Sequence, residues 1–250
     1  MIKLVLLSLI IAEIAQSIKL NMIQKNQKSQ PWEFGRFLKT ANYYGAFTPR
    51  IRLPFFPSSQ KSSNPKSAKP NDILWNSKDS NGLFQNDFQW GPLDDVVMGG
   101  VSKTDLAPGQ PFDGKWTGFT SSANNGGFAG IRTKVFQSPL NLSSCKGLKI
   151  KIKGDGQRFK FILRDDDDWN GTAWSTSFDS EKDKLIEVKL PFDKFTPTRF
   201  ARKLPNLIPF KKNNIRAMQL TLSKFEYEGA LNPKFKEGPF TAVLESIETF

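Results

Sequence analysis

Two groups of acidic residues are the clearest candidates for catalysis or ligand binding in this sequence. Asp94 and Asp95 stand side by side at the start of LDDVVMGGVS (residues 93–102), and four consecutive aspartates occupy positions 165–168. A glycosidase-type carboxylate pair must flank its substrate, which adjacent residues do not do. The sequence contains no histidine, the most common general base and metal ligand. We therefore predict no catalytic residue and do not expect an enzyme.

The stretch 93–102 also carries the residues of a tight turn. Aspartate side chains accept hydrogen bonds from nearby backbone N–H groups, and adjacent glycines permit a positive φ or a close approach of another segment. We interpret the stretch as a locked loop that enters a strand at Val101. It serves either as a structural corner or as a loop on a binding face. In the second case the candidate binding residues are Asp94, Asp95, Met98, Gly99 and Gly100.

The aspartates at 165–168 repel one another unless they are solvated or bridged by a cation. Calcium takes oxygen ligands, but the run lacks the spaced ligands of a calcium loop. A solvated acidic loop is the preferred interpretation, and we predict neither a metal nor another cofactor. Cys145 has no histidine partner in the sequence and is predicted to be a small buried residue.

Three further residues complete the candidate binding set. Trp169 and Trp174 lie beside the acidic run, where aromatic rings either stack on a sugar or cover a sheet edge. Arg199 lies in the basic, proline-rich segment 196–209, which is predicted to be a long irregular loop that either contacts a partner or is simply solvated.

The elements that position these residues are predicted to be strands. Six segments after residue 70 alternate apolar and polar residues, the period of a strand with one buried face. The clearest is LKIKIK at 148–153, and the others begin near positions 129, 159, 186, 218 and 240. Asp155-Gly156 predicts a hairpin between two of them. Many short antiparallel strands without a strand–helix–strand rhythm predict an all-β sandwich or barrel.

Several segments resemble, in order, the complex I intermediate-associated protein 30 family. They are Trp90 with LDDVVMGGVS, NNGGFAGIRT (124–133), GLKIKIKGDGQRFKFILRD (147–165), LPFDKFTPT (190–198) and GPF (238–240). The resemblance spans residues 84–250 and implies a jelly-roll-like β-sandwich of the galactose-binding type. It also implies a noncatalytic assembly factor whose partners are protein subunits of a membrane complex, with peripheral membrane association. The alternative function is a carbohydrate-binding β-sandwich module, which could be secreted.

The positive charge is concentrated in the N-terminal part of the chain. Of the formal net charge of +12, residues 1–70 carry 11 Lys/Arg against 2 Asp/Glu, so the remainder is nearly balanced. Nucleic-acid binding needs a basic face on the folded domain, and no nucleic-acid partner is expected.

Residues 1–70 have the composition of an import leader. Residues 1–17 contain an apolar run too short to span a bilayer and are predicted to be a signal peptide. Residues 18–70 are basic, with Glu33 as their single acid, and are predicted to be a transit-like leader and linker before a sandwich domain at 71–250. Together they indicate a plastid of secondary origin, with a mitochondrial or a secreted location as alternatives. Aromatic residues at 32–56 either lie on the sandwich or anchor at a membrane interface.

Overall fold

The computed structural model describes residues 31, 33–45, 64–107, 110–168, 171–199, 202–205 and 208–250, and residues 1–30 of the predicted leader lie outside this description. The described part holds one α-helix, α1 (Phe34–Tyr43), and no helix in it is long and apolar enough to cross a membrane. The strands in chain order are β1 (Lys66–Ser67), β2 (Ile73–Asn76), β3 (Trp90–Pro92), β4 (Lys103–Thr104), β5 (Lys115–Thr120), β6 (Phe128–Thr133), β7 (Leu140–Asn141), β8 (Gly147–Lys153), β9 (Arg158–Arg164), β10 (Ala173–Asp179), β11 (Leu185–Pro191), β12 (Thr196–Arg199), β13 (Arg202–Lys203), β14 (Ala217–Ser223) and β15 (Gly238–Thr249).

The strands form two facing antiparallel sheets. One has seven strands in the order β13-β12-β10-β9-β14-β6-β3, and the other has the order β11-β8-β15-β5-β4 with β2 paired to β15. The short strands β1 and β7 form a separate parallel pair. All six predicted strands are present, and the predicted all-β jelly-roll-like sandwich is confirmed.

The alternating pattern produces the core because each sheet turns one side of its strands toward the other sheet. On β8, Leu148, Ile150 and Ile152 are fully buried, while the intervening lysines are partly or fully exposed. The largest side chains in this core are aromatic, including Trp116 and Phe159, whose rings lie 5.8 Å apart. The prediction for Cys145 is also confirmed, since this residue is buried in the same core.

The hairpin predicted at Asp155-Gly156 is wrong. Strand β8 pairs with β11 and β15, whereas β9 pairs with β10 and β14 in the other sheet. The turn therefore carries the chain from one sheet to the other. Strands β8 and β9 each have one apolar face. Because they lie in facing sheets, both apolar faces are buried in the core between them. Gly156 still supplies the positive φ of 89° that the turn needs.

The segment 196–209 is more regular than predicted. Its first part forms β12, which pairs with β10, and the chain then returns as β13 at the sheet edge. Arg199 lies at the end of β12 with an exposed side chain. The alternation of apolar and polar residues that signals a longer strand is missing here, because β12 has only four residues and β13 only two.

Helix α1 packs against the sandwich near strand β3. The hydroxyl of Tyr43 donates to the carbonyls of Gln89 (3.1 Å) and Trp90 (2.9 Å), and that of Tyr44 donates to the carbonyl of Gly91 (2.6 Å). The Tyr43 ring occupies the space that a side chain at Gly91 would need. Of the two locations predicted for the aromatic segment, the described tyrosines occupy the sandwich surface. The predicted division of the chain at residue 70 stays a prediction.

Candidate functional site: the acidic corner

Residues 93–102, here called the acidic corner, connect β3 of one sheet to β4 of the other. A short 3-10 helix, Asp95–Met98, forms most of the connection, and Gly99 ends it with a positive φ of 89°. Asp94 and Asp95 are buried, with 3% and 0% of their surface exposed. Carboxylates buried to this degree need internal hydrogen-bond donors, and their partners decide what the corner does.

The Asp95 carboxylate joins the two ends of the corner to the start of β6. Its Oδ1 accepts from the backbone N–H of Ser102 at 2.9 Å, and its Oδ2 accepts from the Ser102 hydroxyl at 2.7 Å. The same Oδ2 accepts from the N–H groups of Gly127 (2.7 Å) and Phe128 (3.2 Å). Four donors from two segments satisfy this carboxylate, which therefore stabilises the fold by holding the two segments together.

The Asp94 carboxylate links the two sheets. It accepts from the N–H (2.9 Å) and the hydroxyl (2.7 Å) of Thr104 on β4, and from the N–H of Gly130 on β6 at 3.3 Å. Arg36 of α1 donates to it at 3.1 Å. Burial raises the pKa of Asp94 from 3.8 to about 6, against the lowering effect of the Thr104 hydrogen bonds and the Arg36 charge. At neutral pH the carboxylate is therefore ionised and holds Thr104, Gly130 and Arg36 together.

The two glycines of the corner have different reasons to be glycine. Gly99 adopts a left-handed backbone conformation with open space around its Cα. Gly100 does not, but a Cβ there would overlap the Asp95 carboxyl group. Its N–H donates to the Asp95 carbonyl at 2.9 Å. The doublet thus allows one turn and one close approach, both within the corner.

These contacts favour the structural corner of the two interpretations of the motif. Asp94 and Asp95 face inward and their carboxylates are bonded within the corner, while their assignment as binding residues stays a prediction. Met98, the last residue of the 3-10 helix, is different, because 65% of its surface is exposed. Among the candidate residues that the structure describes, Met98 and Arg199 have exposed side chains.

Trp174 is a packing residue. Its side chain is 5% exposed, and its ring stacks on Phe210 with the centroids 4.6 Å apart, in a cluster with Phe192 and Phe195. The strand β10 turns this ring toward the core, and the assignment of Trp174 to a binding surface stays a prediction. Trp169 lies outside the described residues.

The acidic run is distributed among separate contacts. Asp165 accepts from the N–H of Lys211 at 3.0 Å, and Asp167 pairs with Arg216. Asp166 accepts from the N–H of Asp168 at 3.1 Å. Within the described ranges, no group of three or more Asp, Glu or Cys residues is arranged to hold a metal ion. The expectation that the run has no tight calcium site stays a prediction.

Sequence reasoning missed the contribution of α1 to the corner. Arg36 reaches both the Asp94 carboxylate and the carbonyl of Ser102, the latter at 2.8 Å. The available signal was the aromatic content of this segment, which is unusual for a transit-like leader. Its basic composition pointed instead to import. The contact between Arg36 and Asp94 joins residues 58 positions apart, so no local sequence pattern indicates it.

The fold is a two-sheet β-sandwich, and the acids of its signature motif are bonded within the sandwich itself. The chain belongs to the complex I intermediate-associated protein 30 family, which residues 78–243 match. Among curated proteins, none matches the chain.

Two solved structures with similarity to this chain are carbohydrate-binding modules of Clostridium thermocellum. One is a family 11 module in complex with a β-1,3-1,4-mixed-linked tetrasaccharide, with 17% identity, a TM-score of 0.47, and 73% of this chain and 96% of that chain covered. The other is the family 11 module of the cellulosomal cellulase Lic26A-Cel5E, with 16% identity, a TM-score of 0.47, and 73% and 95% covered.

Proposed function

We propose that this protein is a noncatalytic assembly factor that binds subunits or intermediates of an organellar membrane complex, either respiratory complex I or a photosynthetic complex. Membership of the complex I intermediate-associated protein 30 family carries this proposal. A role in the assembly of complex I is what the family name describes, and a photosynthetic client is the variant that a plastid location would require.

The chemistry of the chain supports a noncatalytic role. The sequence has no histidine, its one cysteine is buried, and its paired acids are bonded within the acidic corner. These groups therefore do not converge on a substrate as a nucleophile and its base would. The carbohydrate-binding alternative depended on a Trp169–Trp174 platform, and the burial of Trp174 removes one half of it.

Client contact is assigned to the two candidate residues with exposed side chains, Met98 and Arg199. Methionine is flexible and polarisable, and arginine is enriched at interfaces, so both suit a surface that binds unassembled subunits. Residues 71–250 are nearly balanced in charge. We therefore expect moderate salt to weaken client binding only modestly.

Depletion of the protein tests the proposal directly. The abundance of one assembled complex should fall on native gels while the transcripts of its subunits are unchanged. A tagged wild-type protein should co-purify with partially assembled forms of that complex. Normal accumulation of all respiratory and photosynthetic complexes in depleted cells would reject the proposal.

Surface variants test the assigned contacts. Met98→Glu and Arg199→Glu should each reduce the recovery of client subunits from organelle extracts. Leu185→Glu is the matched control, because Leu185 is also an exposed apolar residue (45%) but lies on the edge strand β11. Equal recovery with all three variants would remove Met98 and Arg199 from the contact surface without affecting the depletion experiment.

The location is proposed to be a plastid reached through a bipartite leader. Residues 1–70 fused to a fluorescent reporter should direct it to the plastid in a secondary-plastid alga, and removal of residues 1–17 should abolish this. Delivery of the intact fusion to mitochondria or to the medium would favour one of the alternatives.

A further inference from the structure

Strand β11 forms a long open edge of the six-stranded sheet. It ends the strand order β11-β8-β15-β5-β4, and no strand within the described ranges pairs with its outer edge. The other strands that end a sheet are short, since β4 and β13 have two residues each and β3 has three, with α1 packed beside it. In contrast, β11 has seven residues. Short or covered edges are the usual protection against the addition of a further strand, and β11 has neither.

The side chains of β11 are accessible along most of the strand. Leu185, Glu187 and Lys189 are exposed, whereas Ile186 and Val188 are partly buried at the margin of the core. Part of the apolar surface on the inner side of the strand therefore remains uncovered. An added strand would bury it.

The backbone of β11 also has groups that point away from the sheet. The N–H of Phe192, just after the strand, donates to the Lys146 carbonyl at 3.0 Å, next to the first residue of β8. Antiparallel strands bond at every second residue, so the even-numbered residues of β11 bond to β8. The odd-numbered residues direct their N–H and C=O groups outward, and these residues are Leu185, Glu187 and Lys189.

The charges on β11 stand in an order that suits a second copy of the same strand. Glu187 and Lys189 are two positions apart and therefore lie on one face of the sheet. The Glu187 carboxylate lies 3.7 Å from Lys149 Nζ, whereas Lys189 is directly opposite Lys149 and forms no ion pair with any carboxylate of the described residues. Two antiparallel copies of a strand run in opposite directions. An acid followed by a base in one copy can thus lie opposite a base and an acid in the other.

The charges also select the register of such a pair. A two-fold axis near the middle of β11 can pass through Glu187, Val188 or Lys189. The first sets Glu187 opposite itself, and the last sets Lys189 opposite itself. An axis at Val188 sets Glu187 of each copy opposite Lys189 of the other. Unlike charges in directly opposed positions stabilise a strand pair and like charges destabilise it, so the axis at Val188 is favoured.

We propose that β11 is a self-association edge, at which a second copy of this chain adds antiparallel about Val188 and joins the two six-stranded sheets into one. Glu187 and Lys189 of opposing copies exchange backbone hydrogen bonds and form an ion pair on each side of the axis. On the inner side, Val188 faces Val188 of the second copy and Ile186 faces Leu190, which covers the apolar surface at the margin of the core.

Sedimentation of the full chain over a range of concentrations tests the proposal. An interface of one strand pair is small, so the wild type should dimerise reversibly with a Kd of about 1–100 μM. Glu187→Lys and Lys189→Glu each place like charges opposite one another on both sides of the axis, and each should weaken dimerisation at least about tenfold.

The charge-swapped double variant is the specific test of the pairing. Glu187→Lys combined with Lys189→Glu restores unlike charges across the axis and should dimerise within about threefold of the wild type. Lys115→Glu is the control for net charge, because Lys115 is also exposed in the same sheet but lies on β5. It should dimerise like the wild type.

A cysteine on the axis tests the register independently. In Val188→Cys the thiols of the two copies face each other across Cα atoms about 4.5 Å apart, so oxidation by copper phenanthroline should join them in a disulfide. Glu187→Cys should not cross-link, because its counterpart lies diagonally, about 7–8 Å away. The wild type is the blank, since its one cysteine, Cys145, is buried.

A chain that stays monomeric up to about 200 μM would overturn the proposal. So would equal dimerisation of Lys189→Glu and Lys115→Glu, a folded double variant that does not recover, or cross-linking of Glu187→Cys in preference to Val188→Cys. If the double variant does not fold, the cross-linking decides. Hydrogen exchange identifies another occupant, because protection of the Glu187 amide in a monomer, with or without an added client, would assign the edge to a client strand or to another segment of this chain and reject the dimer.

Discussion

Arg36 and Asp94 are 58 residues apart in the chain, and their side chains meet at 3.1 Å between Nη2 and Oδ2. The same arginine nitrogen donates to the Ser102 carbonyl at the far end of the acidic corner. A helix outside the family-matched range 78–243 therefore completes the bonding of the motif that characterises this chain.

Loss of the arginine should destabilise the sandwich. Arg36→Gln leaves the buried Asp94 carboxylate without its counterion, and we expect the free energy of unfolding to fall by about 1–3 kcal/mol in urea titrations. Glu33→Gln is the control, since Glu33 is half-exposed and pairs with the same arginine from the solvent side. It should change stability by less than about 0.5 kcal/mol. Equal effects of the two substitutions would mean that the contact with Asp94 contributes nothing.

Asp94 should also give stability a characteristic pH dependence. Its pKa is raised from 3.8 to about 6 in the folded protein, so between these values the folded state binds more protons than the unfolded state. Its contribution to stability is therefore complete below about pH 4 and decreases as the pH rises to about 6.

Comparison with Asp94→Asn isolates this effect, because other titrating groups contribute equally to both proteins. The difference in unfolding free energy between wild type and Asp94→Asn should shrink by up to about 3 kcal/mol from pH 4 to pH 7. An NMR titration of the Asp94 side-chain carbon checks the same value, and Arg36→Gln should raise it further. A difference that does not change with pH would show that the folded carboxyl titrates normally.

The two corner glycines should tolerate alanine to different degrees. Gly100→Ala places a Cβ against the Asp95 carboxyl group, which four hydrogen bonds hold in place, and should cost about 2–3 kcal/mol. Gly99→Ala meets no neighbour and should cost only about 1 kcal/mol for its positive φ. Thermal and urea unfolding of both variants give the comparison. A larger loss of stability in Gly99→Ala than in Gly100→Ala would mean that the positive φ costs more than the steric overlap with Asp95.

The contacts of α1 make a prediction about processing. A mature chain that begins after residue 45 would lose Arg36, Tyr43 and Tyr44 from the sandwich surface, so we expect N-terminal sequencing of the organellar protein to show a start before Glu33. A recombinant chain from residue 46 should melt at a lower temperature than one from residue 31. Identical melting temperatures would indicate that the helix contacts add no stability.

Trp174 should behave as a core residue. Trp174→Ala removes a buried ring that stacks on Phe210 and should destabilise the domain by about 3–5 kcal/mol, whereas Trp174→Phe should retain most of the stability. If Trp174→Phe is stable but loses client binding, the indole has a role in recognition that its burial does not indicate.

The six predicted strands could be recognised because apolar residues recur at alternate positions in each of them. In β8 and β9 apolar and polar residues alternate through most of the strand. This period of two distinguishes a strand from a helix, whose period is about 3.6 residues. The pairing was not predictable from the same pattern. A short Asp-Gly turn is compatible with a hairpin and with a crossing between sheets, and the choice at Asp155-Gly156 depends on strands β11 and β14 far along the chain.

The corner was predictable in type but not in partners. Aspartates and adjacent glycines indicated a locked turn, and the structure contains one. The donors to Asp94 come from Thr104, Gly130 and Arg36, and only the first of these lies near it in sequence. Arg132 and Gln219 likewise become neighbours only through the strand register, which the sequence pattern does not indicate.

Strand β15 has a consequence for the order in which the protein folds. One edge of it pairs with β8, and the other pairs with β5 and with β2, where the partners Ile73 and Glu248 are distant in sequence. The sheet that contains it cannot assemble until this strand is available, because its neighbours do not pair with one another across the gap that it fills. Closure over such long loops is slow, and until it occurs β8 and β5 each lack the partner on one of their edges. The six-stranded sheet should therefore be completed in a late folding step, and until then its open strand edges are prone to aggregation.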